Sequence, residues 1–546
     1  MRPALRLSAA LFAVSLLALP ALTCAQDEAS AKPAAIAEKT AEKALPADAT
    51  TQGAVDVAGQ HIAYTAIAGT LTVGATDAQD AQLGADGKPQ PGSQLALSEP
   101  KDPKDATPFA RIFYVAYLKK DAKAEERPVT FFFNGGPGSS TVWLHMGSLG
   151  PKHVVTDSDQ HLPAAPYKLV DNAYSLLDTS DLVFIDMPGT GFGRLIGKDA
   201  EKAFWGVDED AGAFARFIAR FVTKYNRWNS PKYIFGESYG TTRSAVLADI
   251  LENHKDIDLN GVILLSQIFN FTSDIDGPGD NPGVDLPYVL ALPTYAATAW
   301  YHKKLPQQPA ALEPFLKDVE DFAMGSYSHA LALGTDLSAA EKQSVAEKLH
   351  EYTGLPVAYL LKANLRVSGG EFEKTLQDDQ DLTTGRLDTR FSGPNLDSLS
   401  QEAQYDPQSS AISSAYVSLF NDYVRRELKY GEGQTYLSSA LFGGFHWDLV
   451  HHGNPISLNV SADLAEALKT NPRLRIMVNG GYYDLATPFF AAEYEDKHLP
   501  IPQSLAKNIE YDWYESGHMV YVRDESLKQL HDRVAAFIKS TQADNK

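Results

Sequence analysis

The most informative segment about the fold is residues 232–247, Lys232-Tyr-Ile-Phe-Gly-Glu-Ser-Tyr-Gly-Thr-Thr-Arg-Ser-Ala-Val-Leu. Its first four residues are typical of a buried β-strand, and the run from Thr241 onward has a helical pattern. Between them, glycines two positions before and two positions after Ser238 let the backbone turn sharply without Cβ clashes. Such a turn lifts the serine hydroxyl out of the sheet as a candidate nucleophile. On its own, the motif is also compatible with a strand–helix turn that has no catalytic role.

Two later motifs supply the partners that a serine nucleophile needs. Asp484 ends Asn-Gly-Gly-Tyr-Tyr-Asp, and His518 lies in Glu-Ser-Gly-His-Met, each after a run that predicts a buried strand. A histidine base takes the serine proton, and an aspartate orients the histidine and stabilises its cation. Taken alone, Asp484 is equally typical of a turn and His518 of a core or surface histidine. Their order, Ser then Asp then His, is that of an α/β-hydrolase triad.

Apolar runs alternate with helical patterns along much of the chain. Helices are predicted at 208–225, 241–253 and 525–540. Strands are predicted at 129–133, 182–185, 232–235, 261–265, 474–478 and 508–513. Alternation of this kind favours a mostly parallel sheet covered by helices on both faces. The predicted class is α/β: an α/β-hydrolase fold with a mostly parallel central sheet and an inserted helical cap.

Five segments are predicted along the chain. The stretch from 286 to 445 has helical runs and few strand signals, which indicates a cap inserted at the edge of the sheet where binding surfaces collect. The stretch from 26 to 55 is rich in Ala, Lys, Glu, Asp and Thr and has no aromatic residue, which is typical of a flexible linker. The segments are a signal peptide (1–25), a linker (26–55), the N-terminal part of the core (56–285), the cap (286–445) and the C-terminal part of the core (446–546).

The N-terminus has the features of a secretory signal. Arg2 and Arg6 precede an apolar run at 11–22 that is too short to span a membrane comfortably. Cleavage after Ala25 predicts a secreted or periplasmic protein. Lipid attachment at Cys24, the only cysteine, is the alternative. No later run of about 18 apolar residues exists, so no membrane-embedded domain is expected.

A glycine-rich loop provides candidate donors for the oxyanion of the reaction. Residues 131–140, Phe-Phe-Phe-Asn-Gly-Gly-Pro-Gly-Ser-Ser, are a strand that runs into glycines able to expose backbone N–H groups. In α/β-hydrolases one donor is the residue after the nucleophile, here Tyr239, and the other comes from an early loop, here Gly136. An ordinary turn is the alternative for this loop.

These motifs together resemble those of the serine carboxypeptidase family. The similar segments are Asn-Gly-Gly-Pro-Gly-Ser-Ser, Gly-Glu-Ser-Tyr-Gly, Gly-Tyr-Tyr-Asp, Gly-His-Met and, at 186–193, Asp-Met-Pro-Gly-Thr-Gly-Phe-Gly. The resemblance covers about 110–270 and 470–525 and identifies the chain as similar to a bacterial secreted member. It implies a peptide substrate with a free C-terminus, removal of C-terminal residues, and an acidic optimum.

The resemblance also implies how the substrate carboxylate is recognised. Asn134, the backbone of Gly135 and Glu237 match three members of the family's carboxylate-binding network. A glutamic acid beside a carboxylate has to be protonated, since two negative charges repel. The network's second glutamic acid would fall at Ser148, so this chain departs from the pattern. We therefore expect a shallower pH dependence than is usual in the family.

Composition excludes several other functions. The 546 residues carry 69 acidic and 48 basic side chains, a net charge of −21 that repels nucleic acid. His446, His451 and His452 have no standard zinc spacing, so no metal is expected. The glycines at 189–193 lack the spacing of a dinucleotide-binding loop, so no cofactor is expected either. An esterase or acyltransferase with the same triad is the first alternative function, and a binding module on an inactive hydrolase fold is the second. The sequence leaves the oligomeric state open.

Overall fold

The computed structural model describes residues 47–95, 106–440 and 445–543. Within them the strands are β1 Ala49–Val57, β2 Gln60–Gly74, β3 Phe109–Lys119, β4 Val129–Phe133, β5 Lys152–Val154, β6 Leu169–Asp171, β7 Asp181–Ile185, β8 Arg194–Ile196, β9 Lys232–Glu237, β10 Gly261–Leu265, β11 Leu382–Thr384, β12 Ser392–Pro394, β13 Arg475–Gly481 and β14 Ile509–Tyr514. The helices are α1 Asp77–Asp80, α2 Val142–Gly147, α3 Ala200–Phe204, α4 Val207–Lys224, α5 Tyr239–His254, α6 Leu286–Tyr301, α7 Leu312–Phe322, α8 Ser328–Leu333, α9 Ala339–Thr353, α10 Val357–Lys362, α11 Gly369–Thr375, α12 Pro407–Arg426, α13 Ser461–Thr470, α14 Phe489–Lys497 and α15 Asp524–Ala543.

The main sheet of the described residues has ten strands, and six of them are parallel. The parallel strands lie in the order β7, β4, β9, β10, β13, β14, and all six correspond to strands that the sequence predicted. An antiparallel extension of β3, β2 and β1 borders β7, with β8 also paired to β3. The α/β class and the mostly parallel sheet are thus confirmed.

The register of the parallel strands brings their carboxyl ends to one edge of the sheet. Gly236 pairs with Phe133, Glu237 with Leu265, and Leu265 with Asn479. The loops that follow β4, β9, β13 and β14 therefore leave the sheet side by side. Ligand sites of open parallel sheets form at this edge.

Helices cover both faces of the sheet, because each helix buries one apolar stripe. In α4 the stripe follows the helical period, with Phe214, Phe217, Ile218 and Phe221 wholly buried against one face. Helix α5 packs on the same face. The other face is covered by α15, whose buried apolar residues are Leu527, Leu530, Val534, Phe537 and Ile538. Parallel strands buried on both faces explain why the sequence shows continuous apolar runs rather than alternation.

Between β10 and β13 the chain leaves the sheet and forms the helices α6 to α13. Helices α6 to α11 share a hydrophobic cluster with the segment 482–491, which follows β13 and includes the start of α14. Helix α12 instead packs into the cluster that contains the buried face of α15. The region from 286 to 445 also contains the hairpin of β11 and β12, which the sequence did not predict. Each of these strands has three residues, too few to show a periodic pattern.

One boundary predicted from the sequence is wrong. The flexible linker was expected to extend to residue 55, whereas β1 begins at Ala49 and pairs antiparallel with β2 along its whole length. Backbone hydrogen bonds to β2 and the burial of Val55 and Val57 order this edge strand, although its sequence has few large apolar residues. Residues 26–46, the signal peptide at 1–25 and Cys24 lie outside the described residues and stay predictions. Among the helices of the described ranges, none combines the length and the apolar character that crossing a membrane requires.

Candidate active site

Ser238 lies on a strained turn between β9 and α5. Its backbone has φ 61° and ψ −132°, a region that residues with a Cβ rarely adopt, at a cost of about 1–3 kcal/mol. A Cβ at Gly240 would lie 2.8 Å from the Phe133 carbonyl oxygen, so this close approach requires glycine. The Ser238 N–H donates to Leu265 O at 3.0 Å, which fixes the turn to β10. The predicted strand–turn–helix unit is therefore present.

His518 and Asp484 form a buried pair at the same edge of the sheet. His518 Nδ1 is 2.8 Å from Asp484 Oδ2. Thr487 donates its N–H to Asp484 Oδ1 at 3.0 Å and its hydroxyl to Oδ2 at 2.8 Å, so the carboxylate has a fixed orientation. Burial lowers the pKa of His518, but the adjacent Asp484 and the charge of Glu237 outweigh it and raise the pKa above its ordinary value. The pair stabilises an imidazolium, as a general base requires.

Ser238 and His518 line one cleft of about 250 Å³. With Nδ1 committed to Asp484, the Nε2 atom of His518 is left for the serine. No hydrogen bond joins Ser238 to His518 among the described residues, and such bonds often form only once substrate is bound. The structure thus brings Ser238, Asp484 and His518, the three residues that the motifs named, to one site.

The glycine loop after β4 lies directly against the serine turn. A Cβ at Gly135 would lie 2.7 Å from both Glu237 O and Gly240 N, so only glycine permits this contact. Gly136 lines the cleft, and its N–H and that of Tyr239 donate no hydrogen bond to any residue of the described ranges. Two unused N–H groups beside a nucleophile are what an oxyanion hole needs.

Asn134 and Glu237 form a second polar pair in the cleft. Asn134 Nδ2 donates to Glu237 Oε1 at 2.8 Å, and Asn134 Oδ1 accepts the N–H of Leu144 at 2.9 Å, which fixes the amide orientation. Burial raises the pKa of Glu237 to about 7, although the charge of His518 and the hydroxyl of Tyr521 oppose the shift. A carboxyl that titrates near pH 7 can meet a substrate carboxylate in its neutral form.

Ser148 does not take part in this cleft. It is wholly buried at the end of α2, and its hydroxyl donates to Leu144 O at 2.6 Å. Its own carbonyl oxygen accepts the amide of Asn172 at 2.7 Å. The residue at the position of the expected second carboxyl therefore has a structural role.

The sequence did not predict that the turn between β11 and β12 supports the triad. The His518 N–H donates to Leu387 O at 2.7 Å, and the Leu485 N–H donates to Arg386 O at 3.1 Å. The buried ion pair of Asp388 and Arg390 holds this turn in shape. Residues of the 286–445 region also line the cleft, namely Arg386, Leu387, Gln408, Ser409, Ile412 and Ser413. Since these supporting contacts use backbone atoms, no sequence motif marks them.

Among the described residues, one cluster of side chains could hold a metal ion, but its histidine nitrogens already form hydrogen bonds with carboxylates. Asp208, His451 and His452 place possible ligand atoms within 4.8 Å of one another. Both nitrogens of His451 are used, Nδ1 with Asp208 at 2.6 Å and Nε2 with Asp463 at 2.9 Å. These contacts raise the pKa of His451 to about 9 despite its burial, so a charged histidine bridges two carboxylates here.

Comparison with known proteins gives a consistent result. The model of the serine carboxypeptidase family matches residues 105–527, more than half of the chain. A serine carboxypeptidase-like protein of Oryza sativa subsp. japonica is 32% identical over 132 residues, which cover 24% of this chain and 28% of the relative. A pheromone-processing carboxypeptidase of Cryptococcus gattii is 29% identical over 31% of this chain and 23% of its own length. The chain thus spans less than a third of the length of these two curated relatives.

One solved structure is similar over most of the chain. It is a prohormone-processing carboxypeptidase of Saccharomyces cerevisiae, with a TM-score of 0.52 and 15% identity, covering 88% of this chain and 91% of that structure. At this identity the similarity shows the fold alone, and it confirms the predicted α/β-hydrolase architecture.

Proposed function

Because the chain belongs to the serine carboxypeptidase family, we propose that it is a serine-type carboxypeptidase that removes C-terminal residues from peptides through an acyl-enzyme. The observation that carries this proposal is the Asn134–Glu237 pair, at 2.8 Å, in the cleft of Ser238 and His518. Glu237 immediately precedes Ser238, so a carboxylate bound there lies close to the scissile bond. This placement favours release of one residue at a time from a free C-terminus.

The proposed reaction uses the triad in two half-reactions. Ser238 Oγ attacks the scissile carbonyl carbon while His518 Nε2 takes the hydroxyl proton, and the N–H groups of Gly136 and Tyr239 hold the oxyanion. His518 then returns the proton to the departing amine, and the C–N bond breaks. Water attacks the resulting ester, with His518 as base, and releases the shortened peptide and free Ser238. Asp484 stabilises the His518 cation through its contact with Nδ1.

Substrate recognition in this proposal uses the second polar pair. The terminal carboxylate accepts hydrogen bonds from the Asn134 amide, from the Gly135 N–H and from protonated Glu237. Glu237 has to be neutral, since a second negative charge in a buried cleft would repel the carboxylate.

Mass spectrometry of digested peptides tests the proposal. Peptides with a free C-terminus should give ladders shortened by single residues from that end. The same peptides with a C-terminal amide should react at least about 100-fold more slowly, because the groups that bind the carboxylate are left without their partner. Internal cleavage of both peptides would refute the exopeptidase activity. The Ser238→Ala variant serves as the control for contaminating peptidases.

A specific observation favours an esterase or acyltransferase as the second candidate. Ser148 stands at the position of the second carboxyl, does not line the cleft, and donates its hydroxyl to Leu144 O. Recognition of a free carboxylate then depends on fewer groups. If p-nitrophenyl esters react readily while both peptides of the previous experiment stay intact, this second function replaces the first.

The proposed cellular location is secreted or periplasmic, in a bacterium. Its support is the sequence at 1–25, where Arg2 and Arg6 precede the apolar run at 11–22. N-terminal sequencing of the protein purified from its source should find Gln26 as the first residue. A lipid-modified Cys24 at the N-terminus would show a lipoprotein instead.

A further inference from the structure

Three buried polar atoms next to the cleft have no hydrogen-bond partner among the described residues. They are Glu237 Oε2, the hydroxyl of Tyr416 and the hydroxyl of Tyr521. Buried polar atoms are nearly always paired, since an unpaired one loses its hydration without compensation. Three such atoms in one place indicate that these groups form hydrogen bonds with one another when the enzyme acts.

The three groups lie together behind the cleft. A Cβ at Gly147 would lie 2.5 Å from the Tyr416 hydroxyl and 2.7 Å from the ring of Tyr521, so both tyrosines contact this residue. The Tyr521 hydroxyl lies beside the Glu237 carboxyl, close enough to lower its pKa. Neither tyrosine lines the cleft, whereas Glu237 does. The tyrosines thus occupy the space next to Ser148, where the resemblance expected a second carboxyl.

We propose that Tyr521 is a positioning residue for Glu237: its hydroxyl donates to Glu237 Oε2 and takes the place of a second carboxyl. The inference rests on the proposed function, because Glu237 acts there as the receptor of the substrate carboxylate. Asn134 donates to Oε1, so Oε2 is the carboxyl oxygen left for the phenol, whose hydroxyl lies beside the carboxyl. Tyr416 closes the pocket behind this pair.

A phenol and a carboxyl differ in how they titrate. A second carboxyl would share a proton with Glu237, and the two would titrate as a coupled pair. Tyr521 keeps its proton, because burial raises its pKa well above the ordinary value. Glu237 then titrates as a single group, surrounded by Asn134, Tyr416, Tyr521, His518 and Asp484.

The expected pH profile of the wild-type enzyme follows from this arrangement. Substrate binding needs protonated Glu237, whose pKa is raised to about 7 by burial. As the pH rises through that value, kcat/KM for an N-blocked dipeptide should fall with the slope of one proton. An N-blocked amino acid p-nitrophenyl ester has no terminal carboxylate, so its profile should lack this alkaline limb.

The Tyr521→Phe variant tests the inference. The phenol stabilises ionised Glu237, so its removal should move the alkaline limb for the dipeptide to higher pH by about 0.5 to 1 unit. The limb should stay absent with the ester. Tyr233→Phe is the matched control: its hydroxyl is also buried but bonds to Thr541 at 2.5 Å, so the limb should stay where the wild type has it. Labelling of Ser238 by a fluorophosphonate at the wild-type rate would show that the Tyr521→Phe site is intact.

A second variant and the wild type distinguish failure of the role of Tyr521 from failure of the proposed function. Tyr416→Phe should move the limb less than Tyr521→Phe does, because Tyr416 and Glu237 interact without a hydrogen bond. A limb that stays in place in both variants, or that moves equally in Tyr233→Phe, would overturn the role of Tyr521. If the wild-type enzyme hydrolyses the ester but leaves the dipeptide intact at every pH, the proposed function fails instead.

Discussion

Replacing Ser238 with alanine should lower kcat/KM for an N-blocked dipeptide by about 10⁶-fold. The alanine has no oxygen to form the acyl-enzyme, and the remaining triad residues then have nothing to activate. The residual rate would come from the oxyanion donors and substrate binding alone. Steady-state kinetics on the purified variant, with active-site titration of the wild type, measures the ratio.

A matched serine variant separates the loss of the nucleophile from general damage. Ser410 is exposed on α12, and its hydroxyl bonds only to Pro407 O, so Ser410→Ala should keep wild-type activity within about twofold. A fluorophosphonate probe should label the wild type and Ser410→Ala but not Ser238→Ala. Labelling that survives in Ser238→Ala would place the nucleophile elsewhere. A wild type that never reacts with the probe would instead support the binding module on an inactive fold.

The parallel sheet could be predicted from the sequence because strands that are buried on both faces consist of short, mostly apolar runs. Residues 129–133 and 261–265 are short, mostly apolar runs, and they match β4 and β10, respectively, residue for residue. Prediction was weaker where a strand continues into a motif. β13 extends to Gly481 because its glycines pair with β14, although a glycine pair is more typical of a turn.

The candidate site was predictable to the extent that it depends on side-chain chemistry. Ser238, Asp484 and His518 are named by motifs, and so are Asn134 and Glu237. The support from Arg386 and Leu387 was not predictable, because it uses carbonyl oxygens that every residue has. The orientation of Asp484 by Thr487 and the tyrosine pocket behind Glu237 likewise depend on how distant segments pack.

Replacing Asp484 with asparagine should lower kcat by about 10⁴-fold. The Thr487 N–H donates to Oδ1, so the asparagine carbonyl oxygen has to occupy that position and its NH₂ takes the place of Oδ2. That NH₂ group faces His518 Nδ1, 2.8 Å from Oδ2 in the wild type, and obliges Nδ1 to accept. The imidazole proton then resides on Nε2, and Ser238 meets an N–H instead of the lone pair that should take its proton.

Two further measurements distinguish this tautomer effect from loss of structure. Asp484 raises the pKa of His518, so the acid limb of the residual activity should move to lower pH in Asp484→Asn. Asp512→Asn is the matched control, because Asp512 lies on β14 and pairs with Arg533 at 3.0 Å outside the triad; its kcat should stay within about threefold of the wild type. Unfolding midpoints of both variants near that of the wild type would show that the fold is retained. If Asp484→Asn kept more than a tenth of the wild-type kcat, Asp484 would not be the residue that orients His518, because a base held in the wrong tautomer could not deprotonate Ser238 at that rate.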